Sequence, residues 1–515
     1  MVSRLRYRRL IVAAVVVVAL AGIYGAARAR HPAAAVGQLA QSTRAPVTMA
    51  TRVCPAPGSP APTAASVAMA AVPASSAGGK AEVSTLTPGG SPSVGSPVAT
   101  ADKPGVLQVV RIKTAAPLSK AERTGEPGSS PNVTTQAGRG GVEVNATGAM
   151  AQGLEVEQAS TGGVVTAQCG APGTSFWFVG PGQASAGTIE LYLMNTGSQP
   201  ADAQVSALTD VTKGPPLLGN ADNGITVPPH GMVVQSLSRL LQSSKIIALN
   251  VTTSVGQVVA AIRESRSVHD GGGWLPATQA PARHLVIPGL PRASGTRKLF
   301  LAVPGSAAAQ VKITAVTAKG SYQPTGGTGI DLLGGSAVAI PLASLGGVPG
   351  AITISSSVPV AAAVLVPGGP AGIAGAMAVS GGPVQQQGVV ADNPARSVGS
   401  TELVLSAPKK AASVRIITAT ASVSAAGQQG SVVQIKAGSS VVIAARPPTG
   451  SKAAQFALVV TPMSGSGPVY AGRIISSGGV VQSILPVPSS LTWIPLPGVQ
   501  NSLSAISAAA HSSAG

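Results

Sequence analysis

The residue types that carry chemistry are scarce in this chain and do not cluster. Only 16 Asp plus Glu and five His occur among 515 residues. Catalysis needs several titratable side chains that converge. The sequence contains no Gly-x-Ser-x-Gly elbow, no His-Glu-x-x-His helix and no phosphate-binding glycine loop between a strand and a helix. We therefore expect a protein that is not an enzyme, with no catalytic residues, no metal site and no cofactor.

The remaining polar candidates are isolated residues in predicted loops. Asp222-Asn223-Gly224 offers an oxygen ligand for calcium, but this tripeptide is foremost a turn signal and no acidic cluster accompanies it. His230 follows two prolines in a turn, and His269-Asp270 lies in a glycine-rich linker. We interpret both histidines as surface residues. A degenerate hydrolase that uses Asp222 is the weakest functional hypothesis.

Cys54 and Cys169 are the only cysteines, and each follows a predicted strand. In an exported chain they predict one disulfide, and closure of so long a loop is worth about 4–5 kcal/mol on the chain-entropy model. The alternative is two free buried thiols. A redox pair is not indicated, because no Cys-x-x-Cys motif is present.

Trp177, Trp274 and Trp493 stand near the start of successive sets of strands. If exposed, Trp177 and Trp274 would contact a carbohydrate ring or a protein partner. Aromatic residues form only 2% of the chain, so we favour packing inside or between domains for all three. Their exposure discriminates between these alternatives.

A pattern of short strands and turns in residues 188–266 recurs twice along the chain. Apolar and polar residues alternate from Thr188 to Leu193, as in a strand with one buried face. The equivalent strands at Ile189, Leu299 and Leu403 lie 110 and 104 residues apart. This period predicts an all-β fold of tandem immunoglobulin-like β-sandwich repeats. The alternative is a β-propeller in which each period forms two blades.

The N-terminus predicts a membrane anchor. Residues 1–9 include four arginines, and residues 10–27 are uncharged, about the minimum length for one transmembrane helix. The denser arginine cluster precedes the span, so we place residues 1–9 in the cytoplasm and the bulk of the chain outside the cell membrane. The alternative is a signal peptide whose cleavage releases a secreted chain.

The net charge of +18 does not indicate nucleic-acid binding. Beyond the first arginine cluster the basic residues are scattered, and the aromatic residues that would stack on bases are few. We expect only weak attraction to anionic envelope polymers or lipid headgroups.

These observations give a predicted domain organisation. Residues 28–45 form a stem, and residues 46–174 an interrupted β domain with low-complexity insertions, of which residues 55–100 are interpreted mainly as a loop. Three β-sandwiches follow at 175–283, 284–380 and 390–496, and residues 497–515 are a disordered tail.

Several short motifs accompany the arginine-flanked span, namely Cys54-Pro55, Cys169 with Phe176-Trp177-Phe178, Asn195-Thr196-Gly197, Gly224 to His230, Trp274-Leu275-Pro276 and Ile287-Pro288-Gly289. Together they resemble the actinobacterial DUF5719 family, which has no known activity. The resemblance implies a membrane-anchored β-protein that faces the cell envelope. It supplies no catalytic residue.

We therefore expect a non-enzymatic, single-span envelope protein that presents tandem β-sandwiches to an envelope protein or a cell-wall polymer. The second hypothesis is a glycan-binding module or an accessory subunit of an envelope enzyme, with Trp177 or Trp274 in contact with the ligand.

Overall fold

Strands dominate the computed structural model. It describes residues 14–24, 43–55, 64–73, 78–90, 97–113, 140–160, 166–182, 187–210, 217–218, 224–237, 241, 244–265, 273–292, 296–342, 345–368, 375–395 and 399–496. Residues 14–24 form a helix, α1. Within these ranges no helix has both the length and the apolar character needed to cross a bilayer. The other residues of the predicted span, 10–13 and 25–27, lie outside the described ranges.

Two compact units make up the chain. One contains residues 1–45 and 493–515, and the other runs from Pro46 to Thr492. Strand β1 (Thr43–Pro46) begins the described part that follows α1.

The larger unit consists of four repeats, each with eight equivalent strand positions. Repeat 1 contains β2 (Met49–Cys54), β3 (Ala64–Ala70), β4 (Gly79–Thr85), β5 (Ala99–Ala101), β6 (Leu107–Lys113), β7 (Val142–Gly148), β8 (Glu155–Ser160) and β9 (Thr166–Gln168). Repeat 2 contains β10 (Ser175–Pro181), β11 (Thr188–Asn195), β12 (Ala201–Thr209), β13 (Leu217–Leu218), β14 (Ile225–Val227), β15 (Gly231–Ser236), β16 (Ile246–Val255), β17 (Val259–Ser265) and β18 (Gly273–Leu275).

Repeats 3 and 4 follow the same plan. Repeat 3 contains β19 (Ala282–Leu290), β20 (Arg297–Val303), β21 (Ala309–Thr317), β22 (Gly320–Tyr322), β23 (Ile330–Leu332), β24 (Ser336–Leu342), β25 (Gly350–Pro367) and β26 (Gly375–Val379). Repeat 4 contains β27 (Gly388–Pro394), β28 (Ser400–Ala407), β29 (Ala412–Ala419), β30 (Ser431–Ile435), β31 (Ser439–Ala445), β32 (Gln455–Pro462), β33 (Tyr470–Ser477) and β34 (Val480–Pro486).

Every repeat forms two antiparallel sheets with one shared strand order. With the equivalent strands numbered 1 to 8, the first sheet has the order 1-6-3-4 and the second 5-2-7-8. Repeat 1 shows this as β2-β7-β4-β5 and β6-β3-β8-β9. In repeat 3, β25 supplies both positions 6 and 7, since its first part pairs with β19 and β21 and its second part with β20 and β26. The short strands β13 and β22 are additions to this plan.

Several strands bury both of their faces. In β20, Leu299 and Leu301 lie in the core of repeat 3, whereas Phe300 and Ala302 belong to a cluster shared with repeat 2. In β3, Val67 and Met69 face the core of repeat 1 and Ala68 and Ala70 face repeat 4. Burial on both faces explains the unbroken apolar runs, because no position is left for a solvent-facing polar residue.

The four repeats close into a ring, in which the first sheet of each repeat packs on the second sheet of the next. Apolar clusters connect repeats 1 and 2, 2 and 3, 3 and 4, and finally 4 and 1. At the last junction Val389, Ala391 and Val459 of repeat 4 contact Ala68 and Ala70 of repeat 1.

The all-β prediction is confirmed, but the immunoglobulin-like strand order is not observed. In an immunoglobulin domain the first two strands lie in the same sheet, whereas here they lie in different sheets. A ring with two sheets, each mostly of four strands, in every period comes closer to the propeller alternative. They differ from that alternative because the chain passes back and forth between the two sheets.

Residues 55–100, which were interpreted from the sequence mainly as a loop, also contain β3, β4 and the start of β5. With these strands repeat 1 has the full set of eight. Its alanine- and serine-rich composition suits a strand whose outer face lies close to another sheet, because small side chains permit that approach.

The C-terminal part of the larger unit closes the ring. Main-chain hydrogen bonds join Val47 N to Thr492 O (2.9 Å), Gly153 N to Leu491 O (2.8 Å) and Ser490 N to Gln387 O (2.7 Å). The last strand, β35 (Trp493–Leu496), pairs with β1 in the smaller unit. There the Arg44 guanidinium lies 4.0 Å from the ring centroid of the half-buried Trp493.

The predicted disulfide is present. Cys54 ends β2 and is bonded to Cys169, which follows β9 and is 115 residues away. Beside it, Val53 and Gly170 exchange two main-chain hydrogen bonds of 2.8 and 3.0 Å. The disulfide therefore ties the first strand of repeat 1 to the segment that leads into repeat 2.

Replacement of both cysteines by serine should lower the free energy of unfolding by about 4–5 kcal/mol, because the disulfide closes a long loop in the unfolded chain. Denaturant unfolding of the Cys54→Ser/Cys169→Ser variant measures this loss. Wild-type protein unfolded in the presence of a reductant is the control and should match the variant. An unchanged midpoint would show that the disulfide does not constrain the unfolded chain.

Candidate binding cavity

A cavity of about 330 Å³ lies at the centre of the ring. It is lined by strands from all four repeats. Most of these strands occupy position 1 or position 8 of their repeat, namely β2, β9, β10, β18, β26 and β34. The cavity is therefore a product of ring closure, since no single repeat supplies its walls.

One ion pair lines the cavity and is internally satisfied. Arg52 donates two hydrogen bonds to Glu155, from Nη2 to Oε1 at 3.1 Å and from Nε to Oε2 at 3.3 Å. The buried Ser490 hydroxyl donates a third to Glu155 Oε1 at 3.0 Å. The opposite charges neutralise each other, so this wall of the cavity offers no free cation.

Glu264, in β17, is the unusual acid of the cavity. It is buried, and its Oε1 has no hydrogen-bond partner among the described residues. Burial raises the pKa of Glu264 to about 8. At neutral pH the carboxyl is therefore mostly protonated, and it carries one O–H donor together with acceptor oxygens.

Gln482, in β34, provides a second buried polar atom. Its Oε1 also lacks a hydrogen-bond partner within the described ranges, although the residue as a whole is half-buried. Unpaired buried oxygens are rare in folded proteins, because each loses its hydrogen bonds to water. Both Glu264 and Gln482 line the cavity, so its wall has polar side chains beside the apolar ones.

The apolar lining includes two half-buried aromatic residues, Phe176 and Trp274. The Trp274 ring also packs edge-on against Tyr192, with ring centroids 5.2 Å apart. Trp177 is half-buried as well, but it packs against the core of repeat 2 and is not part of the cavity wall. Of the two tryptophans that the sequence offered as ligand contacts, only Trp274 lines the cavity.

A buried ion pair lies at the junction of repeats 4 and 1. Arg473 Nη1 donates to Glu157 Oε2 at 2.7 Å and also to the main-chain oxygen of Asp392. Both side chains are almost completely buried. Burial raises the pKa of Glu157 to about 7, although Arg473 opposes this shift.

His230 is not the surface residue that we predicted. It is buried, has a positive φ of 42°, and its Nδ1 lies 3.9 Å from Glu143 Oε2 of repeat 1. His230 is buried because its turn lies at the junction of repeats 1 and 2, where Pro228 packs against Gly90. Asp222, His269 and Asp270 lie outside the described ranges.

The described residues contain no group of three or more His, Cys, Asp and Glu side chains arranged to hold a metal ion. The absence of catalytic residues and of a cofactor stays a prediction.

These features define an all-β protein of four two-sheet repeats with a central cavity. A family model described as a family of unknown function, DUF5719, matches residues 123–446, which is more than half of the chain. The chain belongs to the DUF5719 family. No curated protein matches it.

The motifs that carried the resemblance include contacts between repeats. Gly289, with φ of 78°, lies so close to Gly472 of repeat 4 that a Cβ on Gly472 would come within 2.4 Å of its Cα. Cys169 and Trp274 line the cavity. The function of these motif residues is thus partly to hold the ring together.

Sequence reasoning missed the charged residues of the interior, among them Arg52, Glu155, Glu157, Glu264 and Arg473. For some of them the available signal was a charged residue inside a predicted strand with an apolar neighbour, in a chain that has few acids. Glu155-Val156-Glu157 shows it most clearly.

Replacement of Arg473 by methionine should destabilise the protein by about 3–5 kcal/mol, because Glu157 would be left buried without its cation. The double variant Glu157→Leu/Arg473→Met, which removes both charges, is the matched control and should recover most of the loss. Thermal and denaturant unfolding measure both variants. Equal destabilisation of the single and double variants would contradict this account.

The free energy of unfolding should fall as the pH rises from 5 to 9. Folded protein holds a proton on Glu264 that the unfolded chain releases, so this contribution is complete below the unfolded pKa and is lost as the pH passes through about 8. Glu264→Gln should reduce the fall by at least about 1 kcal/mol. Parallel profiles for the variant and the wild type would show that Glu264 ionises normally.

Proposed function

We propose that this DUF5719 protein is a non-enzymatic scaffold of the cell envelope. Residues 10–27 anchor it with residues 1–9 in the cytoplasm, and the ring of repeats lies outside the membrane. The observation that carries the proposal is the buried Cys54–Cys169 disulfide, which is typical of an oxidising compartment and agrees with the export predicted from the first 27 residues.

The way the sheets are used supports a scaffold. The faces of the sheets are largely occupied by contacts between and within repeats, which leaves strand edges, connecting loops and the central cavity for other molecules. A scaffold requires such rigidity, and the net charge of +18 favours contact with anionic envelope polymers.

The second candidate function is a glycan-binding module or an accessory subunit of an envelope enzyme. Trp274 favours it, because this half-buried ring lines a cavity that also contains unpaired polar atoms. Trp177 contributes less to this candidate, since it packs against the core of its own repeat.

Thiol labelling in intact cells tests the location. Both native cysteines are in the disulfide, so a single new cysteine is the only reactive thiol. Ser512→Cys should react with a membrane-impermeant maleimide in intact cells, and Ser3→Cys only after permeabilisation. The protein should remain in the membrane fraction.

Labelling of Ser3→Cys in intact cells would overturn the orientation, and release of the chain into the medium would favour cleavage of a signal peptide. Crosslinking in intact cells, followed by mass spectrometry, then tests the role. Reproducible capture of one envelope enzyme would favour the accessory-subunit alternative.

A further inference from the structure

We infer that the central cavity is a binding site for a neutral, hydroxyl-rich ligand of the size of one sugar unit. The inference rests on the second candidate function, the glycan-binding module, and it adds the site and the ligand class. A volume of about 330 Å³ is at the lower end of the range for small-molecule sites, so the site is too small for a long polymer to be enclosed.

The charges of the cavity exclude strongly anionic ligands. Arg52 is the cation of the lining, and both of its donated hydrogen bonds to Glu155 would have to break before it could bind an anion. Glu155 in turn accepts a hydrogen bond from Ser490. The Arg52–Glu155 pair is thus a fixed, neutral part of the wall.

The unpaired polar atoms define what the ligand must offer. Glu264 and Gln482 line the cavity, and the Oε1 atom of each is buried without a hydrogen-bond partner within the described ranges. Hydroxyl groups both donate and accept hydrogen bonds, so a sugar can pair with a protonated carboxyl and with an amide oxygen at the same time. A purely apolar ligand would leave both oxygens unsatisfied.

The aromatic lining supplies the other half of sugar recognition. A pyranose ring has hydroxyls around its edge and C–H groups on its faces. Trp274 and Phe176 give the cavity apolar surface for those faces, and Pro276 and Pro486 extend it. A polar wall and an apolar wall in one small cavity match these two kinds of ligand surface.

The cavity is asymmetric although the ring is built from equivalent repeats. Position 8 contributes different residues in each repeat, including Thr166 from repeat 1, Trp274 from repeat 2, Met377 from repeat 3 and Ser483 from repeat 4. Thr166 and Ser483 are joined by a hydrogen bond of 3.3 Å across the two repeats. A ligand is therefore offered distinct contacts on each side and one preferred orientation.

The test is a charge series on one sugar skeleton. Saturation-transfer NMR and calorimetry on the full chain in detergent compare glucose and N-acetylglucosamine, which are neutral, with glucuronate and glucosamine. We expect the two neutral sugars to bind at least 10-fold more tightly than either charged sugar. Preference for glucosamine would overturn the inference, because it would show an ionised carboxylate in the site. Preference for glucuronate would also overturn it, because it would show that Arg52 is free to bind an anion.

Variants identify the site. Glu264→Leu and Trp274→Leu should each weaken binding of the neutral sugars at least 10-fold, whereas Glu264→Gln, which keeps a donor and an acceptor, should bind within about 3-fold of wild type. Trp177→Leu is the matched control, because it removes a half-buried tryptophan outside the cavity, and it should leave affinity unchanged. Thermal midpoints verify that each variant is folded.

Two outcomes overturn the inference and leave the scaffold proposal intact. Binding of none of the four sugars would show that the cavity has another role. Neutral-sugar binding that Trp177→Leu abolishes and Glu264→Leu does not would place the site elsewhere. Failure of the scaffold proposal is separate, since it appears in thiol labelling and crosslinking of intact cells.

Discussion

Burial of sheets on both faces is the constraint on which the structure depends. A sandwich normally leaves the outer face of each sheet to water, and its strands alternate between apolar and polar residues. Here the second face packs on the neighbouring repeat, so strands such as β20 and β25 are apolar at every position over much of their length. Small side chains follow from the same constraint, because closely packed sheets leave little room for aromatic rings. The low aromatic content of the chain is therefore a consequence of its architecture.

Local structure was largely predictable from the sequence, whereas the association of the sheets was not. Alternation and turn residues predicted most strands of repeat 2, and the spacing of Ile189, Leu299 and Leu403 matched the period of the repeats. Strand order depends on pairings between distant segments, and alternation within a strand carries no information about its neighbour. β3 was missed because alanine and serine, which resemble a linker, are what a strand between two sheets requires. β18 was not predicted, because it begins in a glycine-rich stretch that is typical of a linker.

The interior charges show a second limit of sequence reasoning. Glu157, Glu264 and Arg473 are isolated in the sequence and acquire partners or cavities only when the ring closes. Four equivalent repeats also need some feature that distinguishes one junction from another. Repeats 4 and 1 share the Arg473–Glu157 ion pair, repeats 1 and 2 bring His230 close to Glu143, and repeats 3 and 4 meet at Gly289 and Gly472. The contacts between repeats therefore differ from junction to junction, although the strand order of the repeats is the same.

Closure by the C-terminal segment has a consequence for biogenesis. Ser490 bonds to Glu155, 335 residues earlier in the chain, so the repeat that leaves the ribosome first meets its last partner at the end of synthesis. Until then Ala68, Ala70 and Leu107 of repeat 1 have nothing to cover them. Contacts between such distant segments form slowly, and exposed apolar strands aggregate in the interval. Until its two ends meet, the open arc of repeats therefore exposes apolar strand faces that the finished ring covers.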